Sequence, residues 1–83
     1  MAQTMEERPR CTLATAVDPA IAANLTALRA LLEEAATRAA EASGYIEAAN
    51  RNAAVGSLIG LEDLLAEASG LQRAILALHR RAL

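Results

Sequence analysis

The chain reads as an all-α protein: an antiparallel two-helix hairpin over residues 19–54 and 58–82, preceded by a flexible amino-terminal arm. Three observations carry that reading. Leu25, Leu28, Leu32, Ala35, Ala39, Ala42, Ile46, Ala49 and Ala53 recur at spacings of three and four, the pattern of a helix that buries one seam against a neighbour. Leu61, Leu64, Ala68, Leu71, Ile75, Leu78 and Ala82 form a second stripe of the same kind, displaced by one residue from the phase of the first. Hydrophobic residues make up 54% of the chain but aromatic ones only 1%, so Ala and Leu do the packing and helix backbones approach closely.

Residues 1–17 are expected to form the arm, and residues 18–83 the hairpin domain. The arm mixes Pro9, several Thr and charges of both signs without a helical period. A weak alternation through Cys11, Leu13 and Val17 leaves a strand over residues 12–17 as the alternative, though such a strand would need a symmetry mate or a partner to pair with. Asp18 and Pro19 together mark a helix start, because Asp accepts bonds from free backbone N–H groups and Pro loses nothing at the first helical position. Helix one therefore begins at Pro19 in this reading.

Gly44 falls on the outer face of that helix and weakens it by about 1 kcal/mol relative to Ala. Ser43-Gly44 is the second choice for the break between helices. The first choice is Val55-Gly56-Ser57, since Gly favours the position just past a helix end and Ser caps the next helix. Gly56 and Gly60 have the spacing of a membrane helix contact, but that motif acts only inside an apolar segment of spanning length, and a turn accounts for it here. In helix two the acids Glu62, Asp63 and Glu67 come early, while Arg73, His79, Arg80 and Arg81 come late, which suits the helix dipole.

A turn at Gly56 has a consequence for cover. An antiparallel second helix of about 25 residues reaches back only to about Arg29 at equal rise per residue, leaving Ile21, Leu25 and Leu28 without a partner. Leu58, Ile59, Leu65 and Leu76 also lie off the principal stripe of helix two. These residues form the expected protein interface. With 83 residues and one Cys, the chain has a small core and no internal disulfide to reinforce it, so a second copy, completing an antiparallel four-helix bundle, is the expected remedy. A larger partner protein docked in the same place is the other.

No constellation for chemistry stands out, and no catalytic residue, cofactor or metal is expected. His79, the one histidine, lies among Arg80 and Arg81 where a cation meets terminal carbonyls, and Leu76 stands where a Glu-x-x-His metal pair would need Glu. Cys11 lies near Arg8 and Arg10, whose charge would favour the thiolate, yet no second Cys or nearby His accompanies it. Glu33-Glu34 and Glu62-Asp63 are adjacent in sequence and so diverge around a helix. There is no Gly-rich phosphate loop and no Ser–His–Asp set.

Polar contacts outside the apolar faces centre on Tyr45, Asn50 and Arg51, and on Arg73, Arg80 and Arg81. For Asn50 the plainer role is capping a helix end. The net charge of −2 and the absence of Lys argue against general attraction to phosphate backbones. A dimeric regulator touching nucleic acid through the Arg-rich end of helix two is therefore the lesser alternative. The charged amino terminus lacks the apolar run of a secretory signal, and no uncharged stretch approaches the ~20 residues of a membrane span. A free thiol suits a reducing compartment, so the chain is expected to be cytoplasmic. The functional expectation is a small non-catalytic protein-interaction module, such as an adaptor, co-chaperone or accessory subunit.

Overall fold

The computed structural model describes the backbone of residues 8–82 and the side chains of residues 16–82. Three helices follow one another: α1 (Arg8–Glu47), α2 (Arg51–Ser57) and α3 (Leu61–Ala82). Among the described residues there is no strand. The chain ascends in α1, reverses once, and descends through α2 and α3, both of which pack along α1. The result is a rod of 70 × 18 × 13 Å. Its smallest dimension is little more than one helix diameter of about 10–12 Å, so the fold is a single layer.

The first helix starts earlier than the Asp18-Pro19 signal predicts. α1 begins at Arg8 and carries Pro19 in its interior, and the segment considered as a strand is helical. Of the arm expected over residues 1–17, residues 8–17 belong to this helix, and residues 1–7 lie outside the described residues. An interior Pro lacks the N–H that would bond four residues back and crowds that turn, at about 3 kcal/mol. Val17, only 6% exposed, is what the extension gains. It is one of four buried hydrophobic residues among those described, with Ala42, Ala54 and Ala68.

The reversal is also not where the glycines suggest. α1 runs through Gly44 and ends at Glu47. Asn50 N–H then donates to the Tyr45 carbonyl at 2.8 Å and Ala49 N–H to the Ile46 carbonyl at 3.0 Å. This pair of bonds makes a Schellman ending, which requires a left-handed residue between helix and exit, and Ala49 takes that position at φ 61°. Asn50 then caps α2, its Oδ1 accepting from Ala53 N–H at 3.1 Å. One Asn thus closes one helix with its backbone and opens the next with its side chain.

Gly56 lies inside α2 rather than at the turn. The second interruption comes at Leu58–Gly60, where Gly60 adopts φ +91°. Here the chain bends without reversing, so α2 and α3 form one descending arm. Their inward residues, Ala54, Ser57, Leu61, Leu64, Ala68, Leu71, Ile75, Leu78 and Ala82, are each buried or half-buried. The predicted second stripe is thus the seam, extended backward across the bend by Ala54 and Ser57.

Moving the reversal from residues 55–57 to 48–50 lengthens the descending arm and shifts the register. Arg38 now meets Ile59, and Ala42 shares a groove wall with Ala54. Ala27 and Leu31 lie beside Glu67 and Leu71. Followed onward, this register brings the last turn of α3 level with Val17. Ile21 and Leu28, expected to be uncovered, are half-buried under α3. The acidic start of α3, Glu62 and Asp63, and its basic end, His79, Arg80 and Arg81, complement the helix dipole.

Candidate interaction surface

The face that α1 turns toward its neighbour differs from the predicted stripe by a rotation of about one residue. Val17, Ile21, Asn24, Leu28, Leu31, Ala35, Arg38 and Ala42 are buried or half-buried, again at heptad spacing. They share Leu28, Ala35 and Ala42 with the predicted stripe. Leu25, Leu32, Ala39 and Ile46, also assigned to the seam, are exposed instead. Leu25 is 49% exposed, Leu32 48% and Ile46 55%. They stand one residue past the seam and form a second apolar stripe alongside it.

The descending arm places its surplus on the same side. In an antiparallel pair the position following the seam on one helix neighbours the corresponding position on the other. Leu58 and Leu65 occupy it on α2 and α3, with Val55 and Leu76 at the adjoining edge; all four are exposed. The shared side is visible directly beside the turn, where Ala39, Ala42, Ile46, Ala54, Val55 and Leu58 line one open groove. A second groove, along α1, is bordered by Leu25, Leu28 and Leu32. A third, along the descending arm, runs past Leu58, Leu61 and Leu65.

The opposite side of the hairpin differs in chemistry. There Ala27, Ala30, Gly70 and the seam residues Leu31 and Leu71 lie with the carboxylates of Glu34 and Glu67. Small side chains and charges tolerate water. The rod therefore has one greasy side and one that needs no cover.

Of the residues expected at an interface, Leu25, Leu58, Leu65 and Leu76 lie on the greasy side. Ile21 and Leu28 instead serve the hairpin's own seam. Ile59, 75% exposed, lines the groove of the descending arm together with Leu58 and Leu65. Leu32, Ile46 and Val55 join the surface although the sequence placed the first two in the seam and the third in the turn. The signal was present in the doubled Leu31-Leu32 and Leu64-Leu65 pairs, which put one Leu in the seam and the next beside it.

The polar residues singled out from sequence do not converge. Tyr45 is exposed near the end of α1, Asn50 is engaged in capping, and Arg51 opens α2. Arg73, Arg80 and Arg81 are exposed along α3. Arg38 occupies a seam position, where its Nη1 donates to the Ile59 carbonyl at 3.1 Å and its Nη2 to Glu34 Oε2 at 3.0 Å. Asn24, the other polar seam residue of α1, donates from Nδ2 to the Ala20 carbonyl at 2.9 Å. Among the described residues no group of three or more His, Cys, Asp or Glu side chains is placed to hold a metal ion.

The energetic weight of the greasy side is considerable for so thin a fold. Covering side chains that are already half-buried gains about 1 kcal/mol each, and Leu25, Leu32, Ile46, Val55, Leu58, Leu65 and Leu76 all lie there. Among the described residues no large side chain is fully buried. No described helix is long and apolar enough to cross a membrane. Comparison of the chain with protein-family models, curated proteins and solved structures gave no match.

Proposed function

We propose that the protein is a small non-catalytic interaction module whose working surface is the side bearing Leu25, Leu32, Ile46, Val55, Leu58 and Leu65. The single observation that carries this reading is the segregation of half-exposed Leu, Ile and Val on one side of a single-layer hairpin, opposite a side with small residues and carboxylates. A domain normally buries its apolar faces between two layers, and this one brings only one. Its partner is an apolar helical surface, either another copy in a four-helix bundle or a larger protein for which the hairpin acts as adaptor, co-chaperone or accessory subunit.

A photoreactive amino acid in place of Leu65 is expected to cross-link a second polypeptide, whereas the same group in place of Ala30, on the opposite side, is not. Equal labelling from both positions, or from neither, would refute the reading.

A further inference from the structure

We propose that the occupant of the greasy side is a second copy of this chain, stacked face to face so that two single-layer hairpins become a two-layer bundle. The proposal rests on the reading of that side as a docking surface and names its partner.

The first argument is area. Leu25, Leu32, Ile46, Val55, Leu58, Leu65 and Leu76 on the greasy side are each 44–56% exposed. Together they leave roughly 600–700 Å² of surface uncovered, close to the roughly 800 Å² that one partner contributes to an ordinary interface. A short peptide would leave much of that surface uncovered, because the surface spans both α1 and the descending arm.

The second argument is fit. The greasy side runs from Leu25 to Ile46 along α1 and is two helices wide, so its complement must be an apolar layer of the same length and width. The chain itself is such a layer, 13 Å thick. A two-fold axis lying between the layers would set each apolar side against its own counterpart, as an isologous interface requires. The outer surfaces of the assembly would then carry Glu34 and Glu67, with Arg29, Glu33 and Glu62 along the edges of the joined faces.

The test is the mass of the full chain in solution by sedimentation equilibrium, with melting followed over a hundredfold range of concentration. The expected result is twice the chain mass and a melting temperature that rises with concentration. Leu32→Glu with Leu65→Glu is expected to weaken self-association at least 100-fold, while Ala27→Glu with Ala30→Glu leaves it unchanged. Should the first pair fail to fold, the concentration dependence of wild-type melting still decides.

A monomer whose melting is independent of concentration overturns the proposal, as does a dimer sensitive only to the Ala27 and Ala30 changes. An apolar dye separates the two failures. A monomer that binds the dye through Leu32 and Leu65 has its greasy side free for a different protein, whereas a monomer that binds none removes the docking surface as well.

Discussion

The guanidinium of Arg38 holds the carbonyl of Ile59 at 3.1 Å, tying the carboxyl-terminal part of α1 to the bend between α2 and α3. The same side chain crowds Gly60, where an added Cβ would meet Arg38 Nη1 at 3.1 Å. Gly60 also sits at φ +91°, so Ala there incurs backbone strain as well as the contact. Gly60→Ala is expected to destabilise the hairpin by about 1–2 kcal/mol in urea melts. Gly44→Ala, in open space inside α1, is expected to stabilise it by up to about 1 kcal/mol. Equal effects from the two changes would show that the bend is not as described.

Removing the guanidinium itself tests the tie. Arg38→Ala leaves the Ile59 carbonyl to water and breaks the surface pair with Glu34, for an expected loss of about 1 kcal/mol. Glu34→Ala removes only the exposed pair and is expected to cost no more than about 0.5 kcal/mol. Amide exchange at Leu61 and Asp63, just beyond the bend, should quicken in the first variant and not in the second.

Ala49 holds a left-handed conformation at φ 61° that an L side chain pays for and Gly does not. Ala49→Gly is therefore expected to raise stability by about 0.5–1 kcal/mol, the reverse of its effect inside a helix. Thermal melts of this variant beside Ala40→Gly, an interior position of α1, should move in opposite directions.

Val17 and Pro19 report on the extension of α1 toward the amino terminus. Val17→Ala deletes buried methyl groups and is expected to cost about 1–1.5 kcal/mol. Pro19→Ala restores a backbone donor and is expected to gain about 1–3 kcal/mol, with higher helicity by circular dichroism. If residues up to Val17 were a loose arm, the first change would be silent.

Close packing beside the reversal makes Ala54 sensitive to size. It is 3% exposed and shares the groove wall with Ala42, so Ala54→Leu is expected to cost about 1–3 kcal/mol through overpacking. Ala40→Leu, on the exposed face of α1, should change stability by less than about 0.5 kcal/mol.

The residues alone settle that the chain is helical, that it folds back once, and that Leu61 through Ala82 form a seam, because heptad spacing admits one buried face on that helix. They also place Leu58 and Leu65 outside what one hairpin hides. They do not settle the rest, for three physical reasons. Asp18-Pro19 is a strong local start, yet the helix runs through it from Arg8 and buries Val17. Gly56 is the better turn residue by conformational freedom, yet a Schellman ending at Ala49 joined to an Asn50 cap satisfies more backbone groups. On α1 two apolar stripes run side by side, and the polar Asn24 and Arg38 make the true seam the less conspicuous. Only the register of the descending arm chooses between them, leaving Leu32 and Ile46 on the surface.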